Sequence, residues 1–223
     1  MIPFKDENPT RTFPFFTITI IVLNVLVFFV ELFYASDMKA LVYKYGAIPR
    51  NLLSMSDNRQ VPAVLTIFTS MFMHGGFLHI SGNMLYLWIF GNNIEDRLGH
   101  FRFLLFYLLS GVVAVYANSI ASPASQVPMI GASGAISGIL GAYLLLYPRT
   151  RVHTLIFFGF FIQIVRIPAL IVIGLWGVIQ VISGIMSKGQ GAQGGVAWFA
   201  HIGGFLFGLL TIYLWLPEEK RRD

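Results

Sequence analysis

Four polar residues in this chain have the types and spacing for acyl-transfer chemistry: Ser133, His201, His79 and Asn83. A serine hydroxyl is a poor nucleophile near neutral pH, but a neutral imidazole within hydrogen-bond reach can take its proton as Oγ attacks a carbonyl. Ser133 and His201 are the candidates for that pair. The tetrahedral intermediate then needs donors aimed at its oxyanion. His79 and Asn83, spaced i and i+4, share a helix face, and the Ser133 amide would stand at an exposed helix N-terminus with its positive dipole end. A carboxylate normally orients a catalytic histidine, yet the acids fall at 6, 7, 31, 37, 57, 95, 96, 218, 219 and 223, far from both residues in sequence. The expectation is a Ser–His dyad whose imidazole is oriented by packing or by a nearby hydroxyl. Ser137, one helical turn after Ser133, shares its face and is the candidate hydroxyl. Each residue also has an ordinary reading: Ser133 as a helix cap, His201 as an interfacial histidine, His79 and Asn83 as polar groups bonded between helices. Their combination argues for the chemistry.

The elements that must position these residues are membrane spans. Of 223 residues, 56% are hydrophobic and 11% charged, whereas soluble domains carry about a quarter charged residues. No polar stretch is long enough for a second soluble domain, so residues 1–223 read as one domain. The chain has no cysteine, which excludes disulfides and cysteine-ligated metals. There is no His-Glu-x-x-His string and no pair of acids within the later spans, so metallo- and aspartyl-protease chemistry lack their groups. No metal or cofactor is expected. The net charge of +5 comes from basic residues scattered along loops, which argues against a nucleic-acid partner. The N-terminal apolar run is too long for a cleaved signal and reads as a retained span.

Charge-free intervals locate the spans, since crossing the hydrocarbon core takes about 20 apolar residues. The expected fold is an all-α membrane protein, a bundle of six transmembrane helices at about 14–33, 79–93, 103–120, 133–148, 168–186 and 197–216. The apolar stretch 152–165, bracketed by Arg149, Arg151 and Arg166, is too short to cross and reads as interfacial or re-entrant. Residues 64–72 read as half-embedded, and the glycine-rich 187–195 loop as flexible. With both termini cytoplasmic, ten of the fifteen Lys and Arg residues lie inside and five outside, four of these in one long loop, in keeping with the positive-inside rule. Spans two, four and six then enter from outside. That direction alone brings His79, Asn83, Ser133 and His201 to a similar depth. Polar groups in a bilayer are costly and mark function. Gly134, Gly138 and Gly141 on span four and Gly204 and Gly208 on span six allow close backbone approach, so these two spans are expected to pack together. Glu31, at the outer end of span one, is the only acid expected near the site. His74 reads as structural, holding the loop before span two. His100 and His153 read as solvated or interfacial.

Four blocks of residues resemble the rhomboid intramembrane serine proteases, over nearly the whole chain. They are His74-Gly-Gly-Phe-Leu-His79-Ile-Ser-Gly-Asn83, Glu95-Asp-Arg97-Leu-Gly99, Gly131-Ala-Ser133-Gly134 and Ala200-His201-Ile-Gly-Gly204-Phe-Leu-Phe-Gly208. The resemblance implies Ser133 as nucleophile, His201 as general base and His79 with Asn83 as the oxyanion group. It implies that Glu95 and Arg97 brace the inner end of span two. It also implies the partners: single-pass transmembrane proteins as substrates, cut where a helix unwinds easily, within membrane lipid. The chain departs from the family in lacking a Trp-Arg pair in its first loop. Some bacterial members carry a tyrosine where Ser137 stands, which bears on what stacks against the histidine. A multi-pass protein of a prokaryotic plasma membrane is the expected setting. The competing reading, an inactive rhomboid-like protein that binds transmembrane helices, predicts loss of the serine or histidine, and both are present. The oligomeric state is open.

Overall fold

The computed structural model describes residues 1–34, 37–54, 60–158, 161–187 and 195–218. The chain opens with β1 (Ile2–Asp6), α1 (Phe15–Tyr34) and three short helices, α2 (Met38–Tyr45), α3 (Pro49–Ser54) and α4 (Ala63–Ser70). Then α5 (Phe77–Tyr86) continues through a π-helical turn, Leu87–Gly91, into α6 (Asn92–Leu98), forming one rod. The remainder is α7 (His100–Ala121), α8 (Ser133–Leu146), β2 (Arg151–Phe158), β3 (Phe161–Pro168), α9 (Ala169–Ser187) and α10 (Trp198–Trp215). Most of the glycine-rich loop expected at 187–195 lies outside the described residues.

Four described helices are long and apolar enough to cross a bilayer: Phe15–Phe33, His100–Ala121, Ala169–Ser187 and Trp198–Trp215. α8 has only 14 residues. At 1.5 Å per residue it covers about 21 Å of a hydrocarbon core about 30 Å thick. It need not meet lipid, because every residue from Gly134 to Tyr143 is buried. A helix apolar all round is a central one, and α7 and α10 clasp it from two sides.

Small residues permit that clasp. A Cβ at Gly204 would meet the Gly134 carbonyl oxygen, and one at Gly208 would meet that of Gly138. From the α8 side, a Cβ at Gly141 would meet the Phe205 carbonyl oxygen, and one at Gly138 the Ser110 hydroxyl of α7. The α8–α10 contact is therefore backbone against backbone, which in lipid is the main source of helix association.

At the opposite end of α8 from Ser133, acidic side chains fasten the first elements to the 77–98 rod. Fully buried Glu95 accepts from the amides of Phe16 and Thr17 at 2.8 and 2.7 Å and from the Thr17 hydroxyl at 2.7 Å. These are otherwise unpaired donors of the first turn of α1, and a carboxylate there also meets the positive dipole end. His100 Nδ1 lies 2.6 Å from the same carboxylate, so this partly exposed histidine also has a bond to protein. Asp96 accepts from the Arg11 and Thr12 amides. Gly99, with φ of 81°, turns the chain directly from α6 into α7.

The expectation of an all-α chain is corrected in one place. The 152–165 stretch is extended: β2 and β3 form an antiparallel hairpin, and β1 pairs with β2 to complete a three-stranded sheet of order β1-β2-β3. Its Val, Ile, Thr and Phe residues favour extended backbone, and the first pairing partner comes from the N-terminus, which no local pattern announces. Asp6 anchors the sheet to the helices, accepting from Asn93 Nδ2 at 3.0 Å and from the Tyr143 hydroxyl at 2.6 Å. His153 also finds an acid, with Nε2 3.0 Å from Glu7 Oε1.

The glycine contact makes opposite demands at two positions. Gly208→Ala adds a methyl against backbone, whereas at Gly174 in α9 nothing lies within 4 Å of the added Cβ. Thermal unfolding in detergent micelles should find Gly208→Ala destabilised by about 1–3 kcal/mol, with Gly174→Ala unchanged or stabilised by up to about 1 kcal/mol. Equal effects would show that the contact is looser than described.

Candidate active site

Ser133 begins α8, and His201 sits in the first turn of α10, just above the glycine contact. The contact brings His201 Nε2 to 2.8 Å from Ser133 Oγ.

The proton positions in this pair follow from a chain of donors and acceptors that ends on a carbonyl. The Trp176 carbonyl can only accept, so Gln180 presents its NH₂ group there, at 3.2 Å. The Gln180 Oε1 atom then faces His201 Nδ1 at 2.8 Å and must accept the Nδ1 proton. Nε2 is left bare to accept from the Ser133 hydroxyl. This is the tautomer a general base requires. Gln180 is 5% exposed, so water does not compete strongly for these bonds. The His201 ring is also confined by Trp176, tilted with centroids 6.0 Å apart, and by Trp198, edge-on at 6.3 Å.

The histidine's orienting partner is thus a carboxamide on α9. Ser137, the expected hydroxyl, donates instead to the Ser133 carbonyl at 2.6 Å. It serves the helix backbone, and the two tryptophans supply the ring packing. Gln180 carried a readable signal: it is the one polar side chain other than serine in the 19-residue span Ala169–Ser187, and an amide in such a place needs a partner. Trp176, one turn earlier, carried none beyond being aromatic.

Across the site, α5 presents His79 and Asn83 toward Gly131, two residues before Ser133. A Cβ at Gly131 would come 2.7 Å from His79 Nε2 and 3.5 Å from Asn83 Nδ2, and the glycine has φ of 118°, so both space and backbone exclude a side chain. The Gly75 amide donates to His79 Nδ1 at 3.4 Å. That long bond favours a proton on Nε2, the nitrogen facing the site. Asn83 Nδ2 lies 2.9 Å from His74 Nε2, and His74 Nδ1 lies 3.3 Å from the Phe72 carbonyl. The carbonyl again sets the tautomer: Nδ1 donates to it, Nε2 accepts from Asn83, and the second Asn83 N–H remains for a ligand.

Behind this arm stands Glu31, 3% exposed, accepting the His74 amide on Oε2 at 3.3 Å. It approaches the site through His74 and touches neither Ser133 nor His201. The Gly131 amide donates to the Ser70 carbonyl at 2.8 Å, and Met129 pairs with Ala47, so the first loop holds the segment entering α8. His79, Asn83, Ser133 and His201 line one cavity of about 500 Å³, with Tyr86 of α5 and Trp176 of α9 among its walls. A larger, mostly apolar cavity of about 600 Å³ between α1 and the first loop is lined by Glu31 and contains none of Ser133, His201, His79 and Asn83. Of Glu95 and Arg97, the residues expected to brace the inner end of span two, Glu95 makes the bonds to α1 described above, while the neighbouring Asp96 bonds the segment just before α1. No group of three or more metal-ligating side chains occurs among the described residues.

The arrangement can transfer an acyl group: a hydroxyl with a base in the right tautomer, and N–H donors on the far side of the same cavity. Comparison with known proteins gives the family. A family model described as Rhomboid domain matches residues 62–218. The rhomboid protease GluP of Bacillus subtilis (strain 168) is 34% identical over 142 residues, 63% of this chain and 25% of its own length. The mitochondrial rhomboid protein 1 of Saccharomyces cerevisiae (strain ATCC 204508 / S288c) is 28% identical over 171 residues, 73% of this chain and 45% of its own. The rhomboid protease AarA of Providencia stuartii is 28% identical over 228 residues, 92% of this chain and 74% of its own. The chain thus spans less than half the length of the first two relatives.

Burial of His74, reinforced by nearby His79, lowers its pKa from the ordinary histidine range to about 4. Below that value a proton on Nε2 would replace the acceptor facing Asn83 by a donor. Nitrogen-15 spectra of histidine-labelled protein, assigned with His74→Ala, should find His74 neutral and protonated on Nδ1 down to pH about 4. Titration near pH 6.5 would break the account of how Asn83 is held.

Proposed function

The chain belongs to the rhomboid family, and from that membership we propose that it is an intramembrane serine endopeptidase with Ser133 as nucleophile and His201 as general base. The observation that carries this reading is the 2.8 Å Ser133–His201 bond, in a tautomer fixed by Gln180 and opening on a cavity shared with His79 and Asn83. The protein is a single membrane domain of six spans with both termini cytoplasmic, the rod 77–98 and α8 joining the four long apolar helices. A prokaryotic plasma membrane is the setting the reading favours, although curated relatives include mitochondrial and chloroplastic proteins.

In the acylation step Ser133 Oγ bonds to the scissile carbonyl carbon while its proton moves to His201 Nε2. The imidazolium keeps its Nδ1 proton on Gln180 Oε1. The oxyanion is met by the Ser133 amide, by His79 Nε2 and by the free Asn83 N–H. When the C–N bond breaks, His201 returns the proton to the leaving amine, and a water then repeats the sequence on the acyl-enzyme. Substrates are single-pass transmembrane proteins. Their helices must unwind locally, since an intact helix keeps its carbonyls in hydrogen bonds.

Purified protein reconstituted in liposomes with a single-pass reporter should cleave it, while Ser133→Ala and His201→Ala each lower the rate by at least about 10³-fold. Equal cleavage by all three would end the assignment. If the wild type leaves that reporter intact, labelling by a serine-directed phosphonate, lost in Ser133→Ala, tells a mismatched substrate from a dead site.

Gln180 makes a finer prediction. Gln180→Leu keeps the volume but removes the acceptor for His201 Nδ1, which should lower kcat about tenfold through loss of about 1.4 kcal/mol, with KM little changed. Gln180→Glu retains an acceptor oxygen and should recover most of the rate. A loss of similar size in both variants would assign Gln180 to packing alone.

A further inference from the structure

The hairpin β2–β3 is paired without a break from Arg151↔Pro168 to Phe158↔Phe161. β1 covers only its base, from Asp6↔Val152 to Ile2↔Leu155. At that base Val152 and Thr154 are fully buried against the helices, and the charged groups gather: Arg151, His153, and Arg166 with its Nε 3.4 Å from Glu7 Oε1. Toward the tip the side chains change character. Phe157, Phe161, Ile162 and Ile164 are 53%, 78%, 65% and 58% exposed.

Adjacent residues of a strand point to opposite faces, so Phe161 and Ile162 put an exposed apolar side chain on each face near the tip, with Gln163 the one exposed polar side chain among residues 161–164. A sheet meeting water on one side shows apolar residues on one face and polar ones on the other. Exposed hairpins apolar on both faces associate in water. The tip is sorted by height instead, charged at the base and apolar above, which is the sorting a bilayer imposes.

The course of the sheet gives the direction. Asp6 is bonded to Asn93 of α6 and to Tyr143 near the end of α8. From there β1 packs along the π-turn and α5, the part of the rod that leads back toward His79. β2 lies beside it and climbs the same way, from Val152 to Leu155 and beyond. The hairpin therefore points back along the spans.

We propose that the tip of the β2–β3 hairpin is seated in lipid, among acyl chains of the leaflet at the Asp6 end of the bundle, with Arg151 and Arg166 at phosphate level. That leaflet is the inner one in the topology proposed above, and only this naming of the side rests on that topology. Among the described residues the outer edge of β3 has no pairing strand, and unpaired backbone groups are costly in the hydrocarbon core. Insertion is thus shallow, about 5–10 Å, where lipid carbonyls and water still reach the edge.

The absence of cysteine makes the test direct. Phe161→Cys and Ile162→Cys, each alone in the full chain, carry a nitroxide in liposomes of phosphatidylethanolamine and phosphatidylglycerol. Oxygen should relax both labels several-fold more strongly than a water-soluble nickel chelate does, with the reverse at Lys5→Cys, an exposed site near the base. Dominance of the nickel chelate at 161 and 162 would overturn the proposal. So would spin–spin broadening between labels, which would assign the tip to a second copy of the chain. Neither readout depends on proteolysis, so the proposal can fail or stand apart from the assignment of Ser133.

Discussion

The backbone contact between α8 and α10 is the constraint on which the site depends. Ser133 and His201 are 68 residues apart and sit on helices whose side chains, if any stood at Gly141, Gly204 or Gly208, would hold the two axes apart. Side-chain packing tolerates a few tenths of an ångström of repacking, whereas carbonyl against Cα does not. The rigidity of that contact supplies what a proton transfer needs, a fixed donor–acceptor distance. It also explains why α8 can be short: clasped by protein on both sides, it has no lipid-facing length to fill.

On either side of the cavity, a backbone carbonyl fixes the polarity of a side-chain chain. Trp176 O sets Gln180, which sets His201; Phe72 O sets His74, which sets Asn83. A carbonyl has one role only, so each chain has one consistent reading and delivers one product: a bare nitrogen toward Ser133 on one side, a free N–H toward the cavity on the other. Neutral groups suffice for this. A buried carboxylate in Gln180's place would stabilise the imidazolium more, but an ion at that depth carries a heavy desolvation cost whenever the histidine is neutral.

Much of this was legible in the residues. Ser133, His201, His79 and Asn83 stand out because polar groups in apolar spans are few, and the glycines of spans four and six stand out by their spacing. Gln180 was legible in principle by the same rule, yet an expectation framed around hydroxyls and acids passed over an amide, and Ser137 was chosen for its register alone. The strands within 152–165 are hidden for another reason. An apolar run of that length does not announce its secondary structure, and the strand that pairs with it, Ile2–Asp6, lies about 150 positions away. Glu95 was legible as a brace, but its targets, the Phe16 and Thr17 amides, are backbone groups that no sequence pattern singles out.

The bonds that hold the 77–98 rod are concentrated at one end. Asn93, Ile94, Glu95 and Leu98 are all at most 2% exposed, and Glu95 and Asp96 fix them to the start of α1, with Asn93 fixed to β1. At the other end Phe77 and Leu78 are 74% and 87% exposed, and the bonds across to the rest of the chain are those of Asn83 and His79 to the loop at His74 and Gly75. A pivot about the Glu95 end is therefore the displacement of this rod that breaks least. It would widen the cavity between Tyr86 and Trp176, and it would move His79 and Asn83 while leaving the Ser133–His201 distance to the glycine contact. The two halves of the site are thus held by different means: Ser133 and His201, the proposed proton-transfer pair, by backbone packing that resists motion, and His79 and Asn83, the proposed oxyanion donors, by a few hydrogen bonds on the element that has room to move.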